Sequence, residues 1–352
     1  MLTSLSYKHL RGLKDNKHKL ERATHIVGNN GSGKTSVLEA ASLLLNGKSF
    51  LSASKKELIH NNNETMLIGG SFRGDNRQNK KLNFSLDKTK VNHKSDERRL
   101  SQQKAHLEHP LCVIDSNVVN VSSGLPAYRR GMVDRAVFHV EPEHAKNHKE
   151  LKRCLTQRNK VLSAGGTEQE VTAWNEPLAI VGEKVSKARE SLLIEAKPCF
   201  KELTGGLLGA GYGFRFVKGW STENYLDSLL NNEKRDRALK KTSKGPQRDD
   251  IKLLCLDKNT KKYSSHGEEK LASIAFVVSI NMAIEKRKNN LSIMLFDELE
   301  SGLDNRAIDR LTVLIKSFKN QILITSLIHQ TISSKINGKI LYPEQKQTKS
   351  LL

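Results

Sequence analysis

The octet Gly28-Asn29-Asn30-Gly31-Ser32-Gly33-Lys34-Thr35 fits G-x-x-x-x-G-K-[ST] in full. Glycines at these positions let successive backbone N–H groups turn inward around phosphate oxygens, where side chains would collide. Residues 24–27 read as a short strand that ends at Gly28. Residues 34–46 (KTSVLEAASLLLN) carry apolar side chains at helical spacing, with Gly47 as the C-cap. Strand, glycine-rich turn and helix together open a P-loop fold. The helix aims the positive end of its dipole at the same phosphates. Lys34 is then expected to reach the β/γ-phosphates as a point charge, and the Thr35 hydroxyl to ligate Mg²⁺. ATP with Mg²⁺ is the expected cofactor, held by Gly28, Asn29, Asn30, Gly31, Ser32, Gly33, Lys34 and Thr35.

Far downstream, the apolar run Ile293-Met294-Leu295-Phe296 leads into Asp297-Glu298. Such a strand delivers Asp297 to the carboxyl end of a sheet, where open α/β sheets hold their ligands. Asp297 suits the Mg²⁺ shell, and Glu298 suits polarising the water that attacks the γ-phosphate, with Lys34 beside it. Ser301-Gly302-Leu303-Asp304 follows directly. Upstream, Ser265-His266-Gly267-Glu268-Glu269-Lys270 opens a long helix, and a serine and glycine at a helix start make an anion site. The order resembles the ABC-type ATPases. The resemblance implies that Ser265 and Gly267 of one subunit meet the γ-phosphate bound by another, with Asp304 alongside, so that ATP joins a dimer and hydrolysis opens it.

Elsewhere residues 2–7 alternate like an edge strand, and residues 66–72, 81–86 and 111–114 read as further strands around a polar, basic stretch at 73–104. Residues 126–200 are helical in character. Val171, Trp174, Leu178, Val181, Val185, Ala188 and Leu192 form an apolar seam that suits either a short coiled coil or an amphipathic helix on a core. Pro177 marks a start or kink, and Pro198 with the glycines at 205–213 is expected to end the segment. Residues 234–248 read as a basic turn region. His139-Val140-Glu141-Pro142-Glu143-His144 gathers ligand-type side chains, but its proline forbids the helical i, i+4 geometry, and it reads as a turn without metal.

Lys and Arg outnumber Asp and Glu by 59 to 38, a formal net charge of +21. The surplus favours a polyanionic partner, and a lysine-rich solvated surface explains it equally. Cys112, Cys154, Cys199 and Cys255 have no metal-chelate spacing and suit a reducing cytosol. The longest apolar stretch, 271–284, is broken by Ser273, Ser279 and Asn281 and is too short and polar for a bilayer. A soluble, cytoplasmic protein is expected.

A narrower resemblance runs from about residue 2 to residue 326. The octet followed by Leu38-Glu39-Ala40 and Gly47-Lys48-Ser49-Phe50 is similar to the RecF pattern of P-loop, L-E-A helix and G-R-S-F turn. Gly124-Leu125-Pro126 with Arg129-Arg130 resembles its G-x-P-x-x-R-R element, and 137–142 its F-H-x-E-P element. Gln157-Arg158-Asn159 resembles Q-R-N, and Gly245-Pro246-Gln247-Arg248-Asp249-Asp250 resembles G-P-H-R-x-D. Transport ATPases lack these central elements. The chain departs at His266 and Glu268, where the family shows Arg and Gln, and at Lys48, Gln247 and Glu298. His266 for Arg would make the dimer contact pH-sensitive.

The resemblance implies an α/β fold: a P-loop ABC-type ATPase head with a mixed sheet and an inserted helical lobe. The expected head spans residues 1–115 and 245–345, the lobe 116–244, and a loose tail 346–352. It implies a weak, DNA-stimulated ATPase of recombinational repair. An ATP-dependent homodimer would clamp duplex or gapped DNA near single-strand/double-strand junctions, with RecR and RecO as partners in loading RecA. With aromatics at 5%, phosphate contacts outweigh base stacking. Candidate contacts are Arg129-Arg130, the helix faces at 146–160, and 234–248. Alternatives are another ABC-type or SMC-like repair ATPase, or a DNA-binding module with inactive chemistry. The interval between Lys34 and Asp297 is far too long for a transporter subunit and too short for extended coiled-coil arms.

Overall fold

The structure, a computed structural model, describes residues 1–51, 54–60, 63–74, 79–87, 90–327 and 331–344. The expected tail at 346–352 lies outside the described residues. The chain divides into two compact units, one of residues 1–117 with 290–352, the other of residues 118–289.

The first unit holds two sheets. Strands β1 (Leu2–Lys8), β2 (Asn16–Lys19), β4 (Thr65–Arg73), β5 (Asn79–Asp87), β6 (Val91–Ser95) and β7 (Arg98–Arg99) pair antiparallel in the order β2-β1-β4-β5-β6-β7. Strands β3 (Ala23–Val27), β8 (Leu111–Ile114), β12 (Ile293–Phe296), β13 (Gln321–Ser326) and β14 (Lys339–Leu341) pair parallel in the order β14-β3-β13-β12-β8. The parallel and antiparallel pairings expected together are thus divided between two sheets. β1 is not an edge strand: β2 pairs with one side of it and β4 with the other.

Helix α1 (Lys34–Asn46) touches strands of both sheets, and Val37 and every residue from Leu38 to Asn46 are buried. A helix covered on all sides must be apolar all round, which is why 37–45 reads as a near-continuous apolar run. The core gathers Leu5, Tyr7, Leu38, Leu44, Met66 and Phe84 with Leu295 and Leu323. Strands β3, β12 and β13 are buried along their whole length, as parallel strands covered on both faces are. Short helices α2 (Lys55–Leu58), α3 (Gln102–Glu108) and α14 (Thr331–Lys335), and the amphipathic α13 (Asn305–Ser317), complete the unit.

The second unit is mainly helical: α4 (Asn120–Ser123), α5 (Pro126–Val140), α6 (Glu143–Ser163), α7 (Glu168–Thr172), α8 (Asn175–Leu207), α9 (Tyr225–Asn231), α10 (Glu233–Leu239), α11 (Thr260–Tyr263) and α12 (His266–Lys288). Three strands, β9 (Tyr212–Val217), β10 (Asp250–Cys255) and β11 (Lys258–Asn259), form an antiparallel sheet. Residues 245–289, expected with the head, cluster here instead. β10 pairs with β9 along six residues, and α12 packs along α8.

The apolar seam spans two packed helices, α7 and α8. Val171 sits in α7; Leu178, Val181 and Val185 of α8 lie in one core cluster with Tyr225 and Leu229, and Leu192 is buried further along α8. Pro177 is the third residue of α8, where its missing N–H costs nothing. Pro198 does not end the segment: α8 runs through it to Leu207. Phe200 packs edge-on against Phe214 and Phe276, at 5.1 and 6.2 Å between centroids. This tertiary packing, with Leu203 and Leu207 also buried, outweighs a proline penalty of about 3 kcal/mol. The 234–248 stretch, expected as a turn, begins as α10.

Buried ion pairs hold the helices in register. Arg158 is fully buried and donates to Asn175 (2.8 Å), Asp236 (2.7 Å) and Thr242 (2.9 Å). Arg189 donates to both oxygens of Asp134, at 2.7 and 2.9 Å, and to Asp249 at 2.8 Å. Burial works against the Asp134 carboxylate, but bonds from His144, His148 and Arg189 prevail and hold its pKa far below the usual range. The unfolded chain therefore takes up this proton first, so the contribution of Asp134 is complete above about pH 4 and is lost as the pH falls below it. Asp134→Asn should lower unfolding stability by about 3 kcal/mol in urea at neutral pH, and the gap from wild type should narrow on acidification.

Candidate functional site

The parallel register builds the site. Val27 pairs with Ser326, Phe296 with Ile324 and with Ile114, so β3, β13, β12 and β8 end at one edge. The loop from Gly28 to Gly33 leaves that edge and enters α1. Gly33 sits at φ 90°, a left-handed value, and a Cβ there would lie 2.4 Å from Leu13 Cδ2. A Cβ on Gly28 would lie 2.3 Å from Ser32 Oγ. Gly33 therefore requires glycine for its backbone conformation, and at Gly28 a side chain would displace the Ser32 hydroxyl.

Lys34 is buried, and its ammonium donates to the carbonyls of Gly28 (3.0 Å) and Asn29 (2.9 Å). Thr35 Oγ1 lies 3.1 and 3.0 Å from the two oxygens of Asp297. Thr325 Oγ1 donates to Asp297 Oδ1 at 2.8 Å and accepts the Glu298 N–H at 2.9 Å. Glu298 is exposed and left-handed, at φ 51°, a costly conformation for a non-glycine residue that turns the chain sharply after the buried carboxylate.

Burial raises the Asp297 pKa; the hydroxyls of Thr325 and Thr35 oppose this, and the charges of Glu298 and Asp115 add to the rise. A buried carboxylate beside two others is a place that a divalent cation relieves. The donors are those Mg²⁺ prefers: a threonine hydroxyl and a carboxylate. Ser32 Oγ is buried without a partner among the described residues, a polar atom left for a ligand. The residues fit a magnesium-bound triphosphate.

Sequence reading missed Asp115 and Thr325. Asp115 directly follows the apolar strand β8, as Asp297 follows β12, and that parallel was the available signal. Its oxygens accept the main-chain and side-chain amides of Asn117 at 3.0 and 3.1 Å. Asp304 lies in the first unit, where its carboxylate caps α13 by accepting the Ala307 N–H at 2.7 Å. Ser265 and Gly267 fall in the second unit. Ser265 caps α12 in a reciprocal box with Glu268: Glu268 N–H to Ser265 Oγ at 3.3 Å, and Ser265 N–H to Glu268 Oε2 at 2.8 Å. Ser265 and His266 are exposed.

Several expected nucleic-acid contacts are internal. Arg129 is buried and pairs with both oxygens of Asp250, at 2.8 and 3.0 Å, because its helix packs against β10. Arg130 donates to the Asp249 carbonyl at 2.7 Å. Arg158 is buried in the network above. Lys146, Lys149, Lys152, Arg153, Lys160, Lys234, Arg235 and Arg248 stay exposed.

Pro142 lies between α5 and α6, so residues 139–144 do turn there. Asp134, His144 and His148 come within 4.8 Å of one another, the one such group among the described residues. Arg189 occupies both Asp134 oxygens, so a cation there would abut a guanidinium. The group is an ion-pair network.

No described helix is long and apolar enough to cross a membrane. Residues 1–350 match the family model "RecF/RecN/SMC N terminal domain". The chain is 29% identical over 317 residues to the DNA replication and repair protein RecF of Pseudomonas fluorescens (strain SBW25), covering 88% of this chain and 86% of the relative. It is 26% identical over 326 residues to that of Vibrio vulnificus (strain CMCP6), covering 91% of each. A solved structure of "the recombination mediator protein RecF-ATP in RecFOR pathway" superposes with a TM-score of 0.83 at 21% identity, over 97% of this chain and 95% of that one. An Smc head bound to the C-winged helix domain of ScpA superposes with a TM-score of 0.60 at 17% identity, over 98% and 94%. The chain belongs to the RecF/RecN/SMC N-terminal domain family, as a RecF-type member with an ABC/SMC-like ATPase fold.

Proposed function

We propose that this chain is an ATP-gated DNA-binding protein of recombinational repair and replication restart. ATP with Mg²⁺ joins two copies, the pair clamps DNA near gaps and single-strand/double-strand junctions, and slow hydrolysis releases it. The observation that carries this reading is the meeting of Lys34, Thr35 and Asp297 at one sheet edge, with Glu298 next along the chain. The curated relatives bear the name DNA replication and repair protein, and the net charge of +21 suits a polyanionic partner. RecO and RecR are the proposed protein partners, in the loading of RecA.

The bound nucleotide supplies a phosphoanhydride activated by Mg²⁺. The loop amides and the Lys34 ammonium bind and orient its phosphates. Thr35 and Asp297 hold the metal, and Thr325 fixes the Asp297 carboxylate. Glu298 is placed to take a proton from attacking water. Ser265 and Gly267, exposed or half-exposed at the start of α12, address the γ-phosphate on a second copy.

Gel filtration with and without ATP and Mg²⁺ tests the gate. Wild type should shift to a dimer with ATP and revert as ATP is consumed. Lys34→Met should not shift, and Glu298→Gln should stay dimeric, with turnover reduced roughly a hundredfold or more. If both variants behave like wild type, the gating reading is wrong. Thr35→Ala should weaken ATP binding measured calorimetrically with Mg²⁺, and should have less effect in EDTA. Glu268 completes the helix cap but places a negative charge where a phosphate would dock. Glu268→Gln keeps the capping box and should tighten the ATP-driven dimer about two- to fivefold, read from the concentration dependence of dimer formation.

A further inference from the structure

β7 is one edge of the six-stranded antiparallel sheet, and among the described residues it pairs only with β6. A two-residue turn joins them: Ser95 pairs with Arg98, and Asp96 and Glu97 between them are left-handed, at φ 46° and 64°. Such turns favour Asn, Asp or Gly first and Gly second, so Glu97 is the residue that departs from the favoured chemistry. The Lys81 N–H donates to Asp96 Oδ1 at 2.8 Å, and Asp96 N–H to the Lys81 carbonyl at 2.9 Å, which tie the turn back to β5.

Beside this turn lies a cavity of about 390 Å³ whose walls include Lys80, Arg98, Arg99 and Lys104 against Asp96 and Glu108. Glu108 is shared by two lysines, 4.0 Å from Lys80 Nζ and 3.6 Å from Lys104 Nζ. Arg98 and Arg99 are exposed, and neither guanidinium has an acidic partner among the described residues. Leu100 is the one apolar side chain of the wall, so an apolar ligand finds little there. Charged edge strands do guard a sheet against pairing with another. That need is met by any scattered charge and does not require four cations around one concavity. The local sequence is biased the same way, with seven Lys or Arg against three Asp or Glu in residues 79–99.

We propose that this cavity receives the phosphate backbone of bound nucleic acid, a contact on the antiparallel sheet and outside the P-loop. The inference rests on the DNA-binding reading above and adds a surface to it. No aromatic side chain lines the cavity, so stacking plays no part, and the contact is blind to sequence. Guanidinium forks suit the paired oxygens of a phosphodiester, and the two free arginines supply them.

The test uses the full chain with ATP and Mg²⁺, two unrelated labelled duplexes, and salt from about 50 to 200 mM. With both Arg98→Ala and Arg99→Ala in place, the log–log salt slope should flatten by about 2. Affinity at the lowest salt should fall roughly tenfold on both duplexes alike. ATP binding and the thermal midpoint should be unchanged. The paired Arg98→Lys, Arg99→Lys variant should regain most of the slope, since a phosphate accepts either cation. Wild-type slope and affinity in the alanine pair would overturn the inference, as would a lysine pair as weak as the alanine pair. Loss of binding to phosphatidylglycerol vesicles with DNA binding intact would also overturn it, by assigning the surface to a membrane. If wild type itself binds neither duplex at any salt, the DNA-binding reading fails, and that result is distinct from failure of the arginine pair alone.

Discussion

The bond between Thr35 and Asp297 is the constraint on which the site depends. It joins the first turn of α1 to the end of β12, across most of the length of the chain. It is possible because β3, β13, β12 and β8 run parallel and stop at the same edge, so loops distant in sequence converge. The price of that convergence is a buried carboxylate: burial above all raises the pKa of Asp297, and the charges of Glu298 and Asp115 add to the rise. Under the proposed function, a cation and triphosphate bound there would offset that burial and would link nucleotide binding to the stability of the first unit.

The second unit is governed by a different interaction, the buried arginine. Arg129 with Asp250, Arg158 with Asp236, and Arg189 with Asp134 and Asp249 each join segments far apart in the chain. A buried pair of this kind adds little net stability, but removing one partner leaves an uncompensated charge, so alternative packings are disfavoured. Arg129, Arg158 and Asp250 stand in the central elements that resemble the RecF pattern. The chemistry of Arg129, Arg158 and Arg189 here is internal, with Asp250, Asp236, Asp134 and Asp249 as partners.

Reading of single residues succeeded where the deciding physics was local. The glycine octet, the strand before it and the helix after it follow from backbone sterics and periodicity within a few residues, and α1 and β12 fall where the pattern puts them. It fell short where a distant neighbour decided. Residues 2–7 alternate as any half-buried strand would, and only the pairing with β2 shows that β1 is internal. Pro198 carries a local stop signal that aromatic packing around Phe200 overrides. Arg129 and Arg158 are indistinguishable in sequence from solvated cations until their acidic partners are brought beside them.

The sequence by itself determined a P-loop α/β fold of the RecF type, with its phosphate-binding octet in place. The octet's geometry is written in contiguous residues, and the order of the distant elements has few other readings. Only the tertiary structure decided which unit residues 245–289 join, which arginines are internal, and that Asp115 and Thr325 stand beside Asp297. Each of those depends on strand pairing and burial between segments far apart in the chain. Such contacts arise from chain-wide packing and leave no periodicity or spacing within any one stretch.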